Sequence, residues 1–190
     1  MNDLTERLNR VLPKLVSKEL LSGSGLGNEI GFYVFDYPAE EELRVREHIL
    51  FILDQIHKFH PDLRVKHVNL FAMVVDYLQS RNLLDRAIDM QVKQGDEAVF
   101  KALSAPLHET RLAQVFADLA QPSLHDLVLV SGVGSAWPLL RSHALLNNLH
   151  PVMGNTPLVM FYPGKYDQLT LQLFGLLASK NYYRAFKLVP

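Results

Sequence analysis

Apolar side chains recur along this chain with two periods, and the alternation between them lays out a fold. Leu4, Leu8, Val11, Leu12 and Leu15 fall on one helical face. Pro13 has no amide to offer the carbonyl of Asn9, which predicts a kink or a division into two short helices. After a Gly/Ser-rich loop from Ser22 to Asn28, Phe32 to Phe35 is a continuous β-prone run, of the kind buried on both faces of a parallel sheet, closed by Asp36-Tyr37-Pro38. A long helix follows, with Val45, Ile49, Ile52, Ile56 and Phe59 at spacings of four and three. Glu40 with Arg44 and Glu42 with Arg46 form exposed pairs one turn apart on it, and it ends near His60-Pro61. Leu63 to Val68 reads as a second strand, and Lys66 and His67 make it polar enough to lie near a sheet edge.

From Leu70 to Ala120 the period is wholly helical, with predicted helices at Leu70 to Leu78, Leu83 to Val92, Ala98 to Leu103 and Glu109 to Ala120. Their apolar stripes are too short to bury one another, so this all-helical crossover is expected to pack on the common core. Leu127 to Val130 is a third strand, followed by Ser131-Gly132-Val133-Gly134-Ser135 and a helix opening near Pro138. Leu158 to Tyr162 is a fourth strand, then Pro163-Gly164 and a helix around Leu169 to Leu177; Ala185 to Val189 is the last strand. Strands alternating with helices predict a single three-layer α/β/α domain over residues 1–190, with a mostly parallel sheet of about five strands and a helical insertion between strands two and three.

Composition narrows the chemistry. Nineteen Lys+Arg against twenty Asp+Glu give a net charge of −1, no field to hold DNA or an anionic membrane, so strong DNA binding by the chain alone is not expected. The absence of cysteine removes disulfides, thiolate zinc sites, iron–sulfur clusters and thiol nucleophiles, and suits a reducing cytoplasm. No apolar run approaches the ~20 residues of a membrane span, and the polar start Met1-Asn2-Asp3 does not read as a signal peptide.

Ligands of doubly wound sheets sit beyond the carboxyl ends of the strands, which singles out Asp36-Tyr37-Pro38, Asn69-Leu70, Ser131 to Ser135 and Tyr162 to Asp167. The layer pattern is compatible with a P-loop-like architecture, but the phosphate-loop position holds Glu40-Glu41-Glu42 and no Walker A sequence occurs, so no ATPase activity is expected of the chain alone. Gly132, Gly134 and Ser135 form a possible ligand loop, with Arg141 further inward; the plainer reading is a tight turn between strand and helix. His57 and His60 lack companions for a metal site, and neither metal nor cofactor is expected. Ser131, Ser135 and Ser142 have no assignable base, although His143 is adjacent to the last. Asp36 and Asp126 suit a cap or an ion pair better than a general base. Trp137, Tyr162, Tyr166, Tyr182 and Tyr183 stand at element ends, where rings can anchor a partner or complete the core.

Five segments taken together carry a resemblance: Gly25-Leu26-Gly27-Asn28-Glu29-Ile30; Phe35-Asp36-Tyr37-Pro38; Gly132-Val133-Gly134 through Arg141-Ser142-His143 to Asn147-Asn148-Leu149; Phe161-Tyr162-Pro163-Gly164; and Asn181-Tyr182-Tyr183-Arg184-Ala185-Phe186. Across almost its whole length the chain resembles the BrxB family of the bacterial BREX (bacteriophage exclusion) defence systems. The resemblance implies a cytoplasmic multi-protein system that also contains an alkaline-phosphatase-like PglZ protein, a site-specific DNA methyltransferase and a large ATPase. It implies a pathway and carries over no reaction.

The expectation is therefore a non-enzymatic adaptor binding another BREX protein, with a PglZ-type protein first and the methyltransferase or large ATPase after it. An unusual nucleotide-binding domain and a DNA-contacting subunit are the alternatives. If strands three and four are neighbours, Trp137, Arg141, Tyr162, Lys165 and Tyr166 share one edge, and these residue types dominate interface energetics. Tyr182 and Tyr183 would project from the opposite edge.

Overall fold

The computed structural model describes residues 3–22, 31–178 and 185–190, with the backbone alone of residues 142–144 and 178. Its strands are β1 (Phe32–Tyr37), β2 (Val65–Asn69), β3 (Leu127–Ser131), β4 (Leu158–Tyr166), β5 (Leu171–Leu173), β6 (Leu177–Ala178) and β7 (Phe186–Lys187). The order is β2-β3-β4-β1-β7, with every neighbour parallel, and β5 and β6 attach to β4 outside this path. All six residues of β1 are buried, as an apolar run without alternation requires of a central strand. The more polar β2 is at the edge, with Val68 its only buried residue.

One face of the sheet carries α1 (Asp3–Leu15), α2 (Lys18–Leu21) and α3 (Glu42–Phe59). Leu8, Val11, Ile49 and Ile52 from these helices meet Phe35, Leu129, Val159 and Phe161 of the strands. Pro13 lies in the last turn of α1, and the chain restarts as α2 after Ser17, whose hydroxyl accepts from the Leu20 amide; two helices result, as the proline predicts. On the other face are α4 (Leu70–Ser80), α5 (Leu84–Gln94), α6 (Asp96–Leu103), α7 (Glu109–Ala120), α8 (Val133–Ala136) and α9 (Ser142–Met153). Met73, Val74, Phe116 and Leu149 from this layer share one cluster with Val34, Val130 and Met160. Helices on both faces of a parallel sheet make the three-layer α/β/α architecture. Among the described residues, no helix is long and apolar enough to cross a membrane.

Three local expectations change. The helix expected around Leu169 to Leu177 is instead a hairpin arm: β4 runs on to Tyr166, and β5 and β6 fold back antiparallel. The Asp167 carboxylate accepts from the amides of Leu169 (2.9 Å) and Thr170 (2.6 Å) and from the Thr170 hydroxyl (2.8 Å), reversing the chain. Leu171 and Leu173 are then buried about a half-exposed Gln172, a period of two. Pro138 does not open a helix; α8 begins directly after Gly132, and Pro138 follows it through a cis bond from Trp137. On α3, Glu42 and Arg46 pair as expected at 2.8 Å, but Arg44 reaches Glu41 (3.5 Å) and Thr5 (2.7 Å) instead of Glu40, and Phe59 is exposed past the last turn that touches the sheet.

Candidate functional site

The carboxyl ends of β1, β2, β3 and β4 converge on the loop after β3. Gly132 there adopts φ +72°, and an added Cβ would run into the Asn69 carboxamide. That carboxamide is fixed, because its oxygen accepts from the Ala72 amide at 3.1 Å and caps α4. At Gly134 a Cβ would stand 3.0 Å from both Phe174 Cε1 and Pro163 Cγ. Close approach of the Asn69 carboxamide and of the Phe174 and Pro163 rings therefore accounts for both glycines, in line with a tight turn. The Ser135 hydroxyl accepts from Arg46 at 2.8 Å.

Polar groups around this loop are engaged with one another. The Tyr37 hydroxyl donates to Glu42 at 2.6 Å, and Glu42 pairs with Arg46, joining β1 to α8 through the first turn of α3. Burial, reinforced by the bond to Glu42, pushes the Tyr37 phenol far above its ordinary range. His67 Nε2 lies 2.7 Å from the Ser131 hydroxyl, and burial lowers the imidazole's pKa, favouring its neutral form. This neighbour of Ser131 was invisible in the sequence, since 64 positions separate the two.

The two aspartates beside strands are ion-pair partners. Asp36 accepts from Arg7 at 2.7 Å, from the Tyr166 amide at 3.1 Å and from Lys187 at 3.4 Å, while Arg7 also donates to the Val189 carbonyl at 3.1 Å. One carboxylate thus ties α1, β1, the end of β4 and the C-terminal segment. Asp126 is clasped by the Arg64 guanidinium (2.7 Å) and amide (2.9 Å), which hold it below the usual carboxylate range.

β3 and β4 are neighbours, with Val128 opposite Leu158 and Val130 opposite Met160, so their following loops do lie side by side. The five residues assigned to one edge divide into two groups. Trp137 is 43% exposed, and Arg141 and Lys165 are exposed with no ion pair among the described residues. Tyr162 and Tyr166, each 1% exposed, are core residues and present no ring to a partner. The reason is strand length: β4 does not stop at Tyr162, and its alternation sends Tyr162 and Tyr166 into the same cluster as Leu158 and Met160. The Tyr166 hydroxyl bonds both the carbonyl (2.8 Å) and the amide (3.0 Å) of Ala185.

Other apolar groups take the place of those rings. Phe174 meets Trp137 edge-on, with ring centroids 6.1 Å apart, and exposed Leu176 at the end of the turn and Leu177 at the start of β6 follow. The expected helix hid them; the alternation Leu171-Gln172-Leu173 followed by Phe174-Gly175 was the signal for a hairpin. Beside Trp137, a cavity of about 310 Å³ opens between α5, α6 and the Trp137-Pro138-Leu139 turn. A second of about 720 Å³ shares Phe100, Leu103, Pro138 and Leu139 with it and continues to Arg141, Asn147 and Glu109. His57 and His60 are exposed, and no cluster of three or more His, Asp or Glu suited to a metal ion occurs among the described residues. Tyr182 and Tyr183, the Gly25–Ile30 segment and the side chains of Ser142 and His143 lie outside the described residues.

These features define a three-layer α/β protein in which a hairpin grown from the central strand packs over the carboxyl end of the sheet. Comparison with known proteins places it further. The family profile described as BREX protein BrxB matches residues 66–188. The chain is 40% identical over 193 residues to a BREX protein BrxB of Bacillus cereus (strain H3081.97), covering 100% of this chain and 99% of that one. It is 41% identical over 187 residues to a BREX protein BrxB of Escherichia coli O9:H4 (strain HS), covering 98% and 92%. No solved structure matches it. The chain belongs to the BrxB family and is a component of a BREX phage-defence system.

Proposed function

We propose that this protein is a non-enzymatic adaptor that binds another protein of its BREX system, a PglZ-type alkaline-phosphatase-like protein first among them. The observation that carries this reading is the half-exposed Trp137, together with Arg141 beyond the same turn and Lys165 near the end of β4, two exposed cations that no ion-pair partner within the described chain engages. Trp and Arg are enriched where binding energy concentrates, and this indole keeps 43% of its surface exposed while it meets Phe174 edge-on. Two carboxylates at this end of the sheet are committed, Asp36 to Arg7 and Glu42 to Arg46. Groups already bound inside the fold are poorly placed to move protons on a substrate. Co-purification of the full chain with each protein of the system in turn tests the reading, and retention of the PglZ-type protein is expected. Arg141→Glu combined with Lys165→Glu should leave folding intact and weaken that complex by about 2 kcal/mol or more. Failure of every BREX protein to co-purify refutes the adaptor role, and undiminished affinity in the folded double variant moves the interface off this edge.

A further inference from the structure

We infer that the turn between β5 and β6 is the element that enters the partner, and that it seats in an apolar cleft whose rim carries Asp or Glu side chains. This inference rests on the adaptor reading and names the contact. Phe174 sits at φ +57° and Gly175 at φ +71°. The left-handed region suits glycine and is uncommon for a bulky L-residue, which stays there only when its surroundings hold it. They do: the Phe174 amide donates to the Pro163 carbonyl at 2.8 Å, and its ring lies against Gly134 and Trp137. The Gly175 and Leu176 amides close the turn onto Gln172 (3.0 Å) and Leu173 (3.1 Å).

This well-anchored backbone serves no burial of its own tip. Leu176 is 84% exposed, and Leu177, Phe174 and Trp137 extend the apolar surface beside it. A rigid convex turn loses little freedom on docking, and apolar side chains held in water by an ordered backbone are a surface built to be covered. Convexity calls for a concave partner.

The rim follows from which polar groups remain free. Lys165, opposite Gln172 across the hairpin, and Arg141, just beyond the Trp137 turn, are exposed donors without a partner in the described chain. The acid nearest in the hairpin, Asp167, is occupied by three donors of its own turn, which hold it below the usual carboxylate range. Glu109 lines the larger cavity with Arg141 from the wall on α7 and forms no ion pair with it among the described residues. Exposed cations without an ion pair are complemented by carboxylates across the interface.

The experiment measures binding of the full chain to the PglZ-type protein, and to each other BREX protein in turn, by biolayer interferometry at low and high salt. Leu176→Asp, with Leu176→Ser as a milder second variant, should reduce affinity at least tenfold with an unchanged circular dichroism spectrum. Leu43→Asp, also largely exposed but on α3 in the opposite helix layer, should bind as the unmodified protein does. High salt should weaken the unmodified protein more than the Arg141→Glu, Lys165→Glu variant. Affinity undiminished by either Leu176 substitution overturns the hairpin contact and leaves the adaptor reading standing. Leu176-dependent binding that salt does not change overturns the acidic rim. No binding to any BREX protein by the unmodified chain overturns the adaptor reading, and this inference with it.

Discussion

Replacing Asp36 by alanine removes the acceptor on which four parts of the chain converge. The Asp36 and Arg7 side chains keep only 12% and 15% of their surface exposed and meet at 2.7 Å. Removing one member of a buried pair costs about 3–5 kcal/mol, because the other charge is left desolvated without compensation. Two features of the site place the expected loss near the lower end: Arg7 retains its bond to the Val189 carbonyl, and Lys187, the second cation, is 27% exposed and can turn to water. The Tyr166 amide also loses its acceptor, worth about 1 kcal/mol or more where it is buried. The sum is about 3–4 kcal/mol for Asp36→Ala, and about 1 kcal/mol less for Asp36→Asn, whose carboxamide oxygen still serves the amide. That is a large share of a stability of about 5–15 kcal/mol, and it lowers Tm by roughly 6–16 °C at this chain length. Urea denaturation of Asp36→Asn, Arg7→Met and the double variant gives the coupling directly. The double variant should be at least about 1 kcal/mol more stable than additivity allows, because the only cation it leaves without its carboxylate is Lys187, which can turn to water. An Asp36→Ala loss under about 1 kcal/mol, or strict additivity in the cycle, would show that the carboxylate does not hold these elements together.

Two further perturbations read other parts of the fold. Burial depresses the pKa of folded His67, so the unfolded chain binds the additional proton first: stability is intact above the ordinary imidazole value of about 6.5 and falls as pH drops through that value toward the lower folded one. His67→Gln should flatten this decline in urea midpoints measured between pH 7.5 and 5, and an unchanged slope would assign the effect to His48 or His150, which burial also depresses. Gly164→Ala places a methyl group against the Gln172 carbonyl, a backbone atom that cannot give way, so about 1–3 kcal/mol should be lost with faster proteolysis between residues 167 and 176. Gly31→Ala, whose nearest neighbour would be 3.4 Å away, is the matched control, and equal midpoints for the two variants would refute the close contact in the hairpin.

The sequence was most legible where burial is two-sided or strictly periodic. The runs Phe32 to Phe35, Leu127 to Val130 and Leu158 to Phe161 have no charged or hydroxyl-bearing aliphatic interruption, and the α3 and α7 stripes keep helical spacing for three turns or more, so position and type followed together. The same rule failed beyond Tyr162. There Leu169, Leu173, Leu176 and Leu177 satisfy a helical spacing, while Leu171, Gln172 and Leu173 equally satisfy a strand. The Asp167 turn and the pairing with β4, both tertiary facts, settle it. That one ambiguity also misplaced two site residues: with β4 ended at Tyr162, its ring and that of Tyr166 fall at a loop, whereas in a strand running to Tyr166 they turn inward. Asp36 was legible as an ion-pair partner but its cation was not, since nothing local links it to Arg7 or Lys187.

The extension of β4 also decides what the carboxyl end of this sheet can offer. In an open parallel sheet the chain leaves each strand into a loop and helix, and those loops leave a crevice for ligand. Here the strand between β3 and β1 continues past the edge, with Gly164 allowing the Gln172 backbone to cross at close range, and returns as β5. The return brings Phe174 down on Gly134, so the loop best suited by sequence to approach a ligand is packed beneath an aromatic ring of the same chain. What that arrangement exposes instead is Trp137 and the hairpin turn, a convex apolar ridge with Lys165 and Arg141 beside it. A recess collects a small molecule, whereas a ridge needs a larger body to cover it. On the proposed adaptor reading, this ridge is the surface that a protein partner covers.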